Sequence, residues 1–215
     1  MNLLLKAVFA GGALAMACAT HAATLYSQPY DGTGNLYASQ NDTGGGNGQF
    51  ALAYDDFTLS SASNVNGVAF TGGYYNPGPP GSIANFVLNI YTDMAGTPGS
   101  AIAFGTFPGN GGENCPGGGN ICTYSLSFGD FAMTAGTYWI SVSPDMPFPP
   151  QWGWATSGTG TGNAYQCFLG TCGAIGGTNL AFDVMGAPVP EPETYALMLA
   201  GLGALAVVAR RRQQS

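Results

Sequence analysis

Positive charge is the first thing this chain lacks. Its only basic residues are Lys6, Arg210, Arg211 and Arg212, its one histidine is His21, and nothing between Thr24 and Val189 is Lys, Arg or His. That stretch holds nine carboxylates (Asp31, Asp42, Asp55, Asp56, Asp93, Glu113, Asp130, Asp145 and Asp183), a charge of about −9 at neutral pH. Nucleic acid is excluded as a partner, because affinity for a phosphate backbone rests on cations that neutralise it. The same shortage removes most catalytic machinery. No Ser-His or Cys-His pair can form, no lysine can replace the histidine as base, and no histidine can hold a hydrolytic zinc.

Two carboxylates across a cleft could still run a glycosidase. Asp55 and Asp56 are neighbours, however, and on a strand they point to opposite faces. Asp42-Thr43-Gly44 spells an aspartic-protease triplet, but only once and inside a polar Gly-rich stretch, Ser39–Gln49. The expectation is a protein that is not an enzyme. Helix-forming material is scarce too: 35 Gly and 14 Pro in 215 residues favour turns over long helices. With 46% hydrophobic residues and 11 Tyr, a packed core remains available, so global disorder is not expected.

What is present is clearest at the two ends. Residues 1–23 read as a secretory signal peptide: Lys6, an apolar run from Ala7 to Ala17, and small residues around Thr20-His21-Ala22 where cleavage would fall. Ala15-Met16-Ala17 before Cys18 makes a poor lipidation motif. At the other end stand Pro190-Glu191-Pro192, an apolar run from Tyr195 to Ala209, and the cluster Arg210-Arg211-Arg212. Fifteen residues rise about 22 Å as a helix, short of the ~30 Å hydrocarbon core, which predicts a short transmembrane helix held at slight mismatch. The arginines would stay cytoplasmic and act as a membrane stop. The prolines would keep the stretch before the helix extended and open to a processing enzyme.

Motif, span, basic cluster and terminal position together resemble the PEP-CTERM sorting signal, over about residues 188–212. The resemblance implies recognition of Pro190, Glu191 and Pro192 by an exosortase, a membrane cysteine protease-transpeptidase of bacteria that make exopolysaccharide. Those three residues are then substrate, not catalyst. The implied location is the cell envelope, the outer surface or the extracellular matrix, after transient anchoring in the inner membrane. The implied surroundings are biofilm exopolysaccharide.

Between the signals, residues 24–187 break into short apolar runs separated by turn residues. Nine strands are predicted: 49–59, 65–75, 83–91, 101–107, 122–128, 137–143, 152–156, 164–168 and 179–185. Phe86, Leu88 and Ile90 alternate onto one face, as do Tyr138, Ile140 and Val142. Short strands at this spacing argue an antiparallel β-sandwich, jelly-roll-like, with residues 188–215 as the sorting segment. The body also resembles secreted bacterial β-sandwich domains found upstream of such anchors, through Tyr54–Phe57, Phe86–Asp93, Gly136–Ser143 and Trp152-Gly153-Trp154. That family carries no settled activity.

Four body cysteines, Cys115, Cys122, Cys167 and Cys172, are an even count in an oxidising compartment. Of the three possible pairings the local ones, Cys115–Cys122 and Cys167–Cys172, are expected, each constraining the unfolded chain by roughly 2–3 kcal/mol. The spacings C-x6-C and C-x4-C do not suit a zinc ribbon. Trp152 and Trp154 allow two readings. Extended, both indoles face one side about 7 Å apart, a spacing that could stack on sugar rings in a carbohydrate-binding module; alternatively, they close the core. Asp42, or the Asp55/Asp56 pair, could serve calcium, although no EF-hand or nonapeptide spacing is present. No other cofactor is expected.

Overall fold

The computed structural model of the chain describes residues 23–75, 82–189 and 192–212. The expected signal peptide lies outside the described residues except for Ala23, as do Pro190 and Glu191 of the sorting motif.

The body is a β-sandwich of two seven-stranded sheets. Its strands are β1 (Ala23–Gln28), β2 (Leu36–Ala38), β3 (Gln40–Asp42), β4 (Gly48–Leu59), β5 (Ser63–Tyr75), β6 (Asn85–Asp93) and β7 (Pro98–Pro108). They continue with β8 (Ile121–Met133), β9 (Gly136–Met146), β10 (Gln151–Ser157), β11 (Tyr165–Phe168), β12 (Thr171–Ala174), β13 (Asn179–Leu180) and β14 (Phe182–Pro188). One sheet runs β1-β14-β5-β10-β13, with β8 along β5 and β2 beside β10; the other runs β12-β11-β4-β3-β9-β6-β7, with β4 also paired to β9. The chain changes sheet at most of its connections, so residues far apart in sequence build one core.

Alternation produces this layering. In β6, Phe86, Leu88 and Ile90 point into the core, while the residues between them are half-buried. In β4, Ala53, Asp55 and Phe57 share the inner face. The central strands β9 and β10 are buried on both faces, as expected for interior strands of a covered sheet. Phe70 and Tyr124 stack at 5.1 Å, and Trp152 packs on Phe70, Phe86 and Tyr124 at 5.8–6.2 Å between ring centroids. Gly72 makes room for this: a Cβ there would lie 2.1 Å from Trp152 Cζ2.

The nine predicted strands are present with shifted ends, the last of them split into β13 and β14. Four strands (β1, β2, β3 and β12) were not predicted. The sheets are not wholly antiparallel either: Asn41 and Asp42 of β3 pair in parallel with Asp145 and Met146 of β9. After β14 comes a single helix, α1 (Pro192–Arg212). It covers the expected apolar run from Tyr195 to Ala209 and the arginine cluster; among the described residues no helix is long and apolar enough to cross a membrane.

Candidate functional site

The residues singled out in the body divide into those the fold consumes and those it leaves open. Trp152 and Trp154 are fully buried. They do share a face, as their spacing required, but it is the face between the sheets. Trp152 Nε1–H donates to Tyr124 Oη at 3.1 Å, and Trp154 Nε1–H donates to the Ala181 carbonyl at 2.9 Å. Stacking on a sugar needs a ring face open to solvent, so the glycan-binding role for Trp152 and Trp154 is ruled out.

Asp42 holds a turn together. Its Oδ1 accepts N–H bonds from Gly44 (3.0 Å), Gly45 (2.8 Å) and Phe148 (3.0 Å), and its Oδ2 accepts from the backbone and side-chain amides of Asn47. The Gly45 N–H above all, with Phe148, Gly44 and Asn47, outweighs desolvation and holds the carboxyl well below the usual range. With both oxygens taken by donors, Asp42 is not placed to ligate calcium, and the aspartic-protease triplet is a turn.

Asp55 and Asp56 lie on opposite faces of β4. Asp55 points between the sheets, where Oδ2 accepts the Leu180 N–H of the opposite sheet at 2.5 Å and Oδ1 accepts the Asp56 N–H at 2.9 Å. Burial pushes its carboxyl up to about 8 in spite of both bonds. Asp56 faces the other way and accepts the Thr161 hydroxyl. The two carboxylates cannot meet on one calcium ion or one glycosidic bond.

The cysteines pair as expected. Cys167–Cys172 ties opposite positions of the β11–β12 hairpin, and Cys115–Cys122 closes the loop before β8, with Cα separations of 4.0 and 4.1 Å. Glu113 lies close to the second bridge, but disulfide sulfurs are poor metal ligands. The Glu113 carboxylate is occupied instead by the hydroxyls of Tyr74 (2.5 Å) and Tyr124 (2.9 Å) and by the Asn110 amide (3.0 Å).

The tail is different in kind. The body holds the chain as far as Val189, whose N–H donates to the Ala62 carbonyl at 2.8 Å. Then α1 exposes Leu197, Leu199, Leu202 and Leu205 to solvent around the helix, with Arg210, Arg211 and Arg212 in its last turn. Residues 188–213 match the family of PEP-CTERM protein-sorting motifs. The tail is a PEP-CTERM sorting signal. Such a signal implies exosortase processing, membrane association through the C-terminus, and a secreted, envelope-associated protein. In the described part of the motif, Pro192 opens α1.

The PEP-CTERM match covers the tail and leaves the body unassigned. No curated protein sequence matches the chain. Among solved structures, the chain is similar to part of a structure of the cysteine protease and lectin-like domains of Cwp84, a surface layer associated protein of Clostridium difficile. The identity is 12% and the TM-score 0.44, with 65% of this chain and 32% of that one covered.

One arrangement was not visible in the sequence. A polar cleft of about 550 Å³ lies where the loop before β2, the end of β10 and the segment entering β13 converge, lined by Asp31, Asn35, Tyr37, Ser157, Thr178 and Asn179. The only local signal was turn chemistry in Asp31-Gly32-Thr33-Gly34. The Tyr37–Thr178 juxtaposition spans 141 residues and has no sequence signature.

Proposed function

We propose that this chain is an exosortase-processed protein of the cell surface or extracellular matrix, non-catalytic and associated with exopolysaccharide. The observation that carries the reading is the PEP-CTERM tail at residues 188–213, emerging directly from the last strand of a closed sandwich. A non-catalytic role is supported by the fate of the carboxylates. Asp42, Asp55 and Asp56 are buried and hydrogen-bonded, and no cation or imidazole in residues 24–189 can act with them. The body then serves as a stable, acidic, disulfide-pinned module delivered by its tail.

Processing is testable directly. Mass spectrometry of the native protein from mature envelopes should show loss of the residues beyond about Pro192, and deletion of the exosortase should restore them. An intact C-terminus through Ser215 in mature envelopes of exosortase-competent cells refutes the reading. A carbohydrate-binding module is the second reading, favoured by the polar cleft and not by the tryptophans.

A further inference from the structure

The cleft has walls that are fixed before anything enters it. Asp31 Oδ1 accepts the Thr33 N–H (2.9 Å) and hydroxyl (2.8 Å), and its Oδ2 accepts the Thr156 hydroxyl (2.7 Å). Backbone bonds Asp31 N–H to Thr156 O and Thr156 N–H to Asn35 O, both 3.1 Å, clamp this loop onto β10. On the far wall, Asn179 Oδ1 accepts the Gly162 N–H at 2.6 Å, and Gly177 N–H donates to Gly162 O at 3.1 Å. Ordering entropy at this site is therefore already spent in the folded state.

Polar groups that the fold does not use project into this frame. The Asn35 carboxamide is exposed and has no partner among the described residues, and the Asn179 Nδ2 is likewise unengaged while its Oδ1 is held. The Tyr37 and Thr178 hydroxyls meet only loosely, at 3.4 Å, so both retain capacity to bond a ligand. The half-buried Tyr37 ring adds an apolar surface beside them.

We infer that this cleft binds a neutral saccharide, through Asn35, Tyr37, Thr178 and Asn179, with Asp31 holding the loop that presents Asn35. Amides and hydroxyls that both donate and accept suit sugar hydroxyls, and the Tyr37 ring suits the C–H face of a pyranose. Phosphate, sulfate and uronate are disfavoured, because the body carries no cation to receive them. An apolar ligand would strand the polar lining without partners. A ligand ammonium would find Asp31 with three hydrogen bonds already in place. The volume lies within the roughly 300–1,000 Å³ of small-ligand sites and admits a short oligosaccharide. This inference rests on the exopolysaccharide reading above and names the surface and sugar class that would serve it.

The test uses the full chain and two kinds of probe: exopolysaccharide purified from the source cells, and a panel of neutral cello-, manno- and galacto-oligosaccharides with hyaluronate as the acidic control. Calorimetry should find a neutral oligosaccharide whose binding is insensitive to NaCl. N35A and Y37F should each weaken it roughly three- to tenfold, the worth of one neutral hydrogen bond. Neither substitution should shift the urea unfolding midpoint measurably, since Asn35 has no partner among the described residues and Phe keeps the ring. Amide NMR shifts on titration should cluster at residues 31–37 and 177–179. If exopolysaccharide retains the protein equally in wild type, N35A and Y37F, the cleft assignment fails while matrix association stands. Failure of both the purified exopolysaccharide and the whole neutral panel to bind overturns both. Hyaluronate shifting the same amides more strongly than any neutral sugar would refute the ligand class.

Discussion

Asp55 should make this protein less stable as pH rises, over a range where most proteins hold steady. Its carboxyl sits fully buried between the sheets and titrates near 8, up from an ordinary 3.8. Between those values the unfolded chain has lost this proton while the folded chain keeps it, so stability falls as pH rises. Below about pH 4 both states are protonated and the term vanishes. Above about pH 8 it is complete, and four units at 1.36 kcal/mol each set an upper bound of roughly 5 kcal/mol. Asp42 acts in the opposite sense: its depressed carboxyl stabilises the fold above its unfolded pKa, and that contribution is lost as pH falls toward its folded one. The substitution D55N isolates the first effect. It removes the titration and one of two acceptors for the Leu180 and Asp56 N–H groups, a pH-independent loss of about 1–3 kcal/mol. D55N should therefore be the less stable protein at pH 4.5 and the more stable, by up to about 2–4 kcal/mol, at pH 8. Urea unfolding at pH 4.5, 6, 7 and 8, with disulfides intact and followed by tryptophan fluorescence, reads this crossing. A difference between the two proteins that stays constant across that range would refute the argument.

Trp152→Ala or Trp154→Ala should destabilise the fold by about 3–5 kcal/mol, because each empties a fully buried site and strands a hydrogen-bond acceptor or hydroxyl; urea midpoints check this. If either variant keeps wild-type stability, the indole is not in the core. Graded reduction should open Cys167–Cys172 before Cys115–Cys122, since Cys172 is exposed on the short β11–β12 hairpin and Cys122 is buried. Differential alkylation followed by peptide mapping reports the order, and the reverse order would contradict it.

The long strands were legible because their periodicity is strong: Phe86-Leu88-Ile90 can only be a half-buried strand once turns bound it on both sides. The short strands were not. Gln40-Asn41-Asp42 contains no apolar residue, and Gln40 is buried only because β4 and β9 flank it and its side chain reaches the carbonyls of the β9–β10 connection. The tryptophan pair shows the limit of spacing arguments. Period two places Trp152 and Trp154 on one face, but whether that face meets solvent depends on the opposite sheet, on Gly72 and on Phe70. Local disulfides were readable from cysteine spacing and compartment. The cleft was not, because its two walls come from residues 31–37 and 177–179, and no local pattern encodes their meeting. The sorting tail was fully legible, since its information is linear: a motif, an apolar run and a basic end are recognised in sequence order and do not depend on folding.

A single physical theme connects the composition to the structure. In a body without lysine, arginine or histidine, carboxylates must find partners other than cations. Three aspartates solve this in the same way, each followed by a glycine-containing turn whose N–H groups bond it. Asp31 takes the Thr33 N–H before Gly34, Asp42 takes those of Gly44 and Gly45, and Asp93 takes that of Gly96. Gly96 sits at φ +81°, a conformation that suits glycine and closes the turn back on the carboxylate. The abundance of glycine and the absence of cations are thus complementary: backbone amides take the place of side-chain cations. Acidic, glycine-rich loops look like calcium loops in sequence because both use oxygens arrayed along a tight turn. Here the amide hydrogens turn inward to the carboxylate, leaving it satisfied and leaving little for a metal ion to gain. With these three carboxylates taken by backbone amides and hydroxyls, the polar groups left open in the cleft are neutral ones, at Asn35, Tyr37, Thr178 and Asn179.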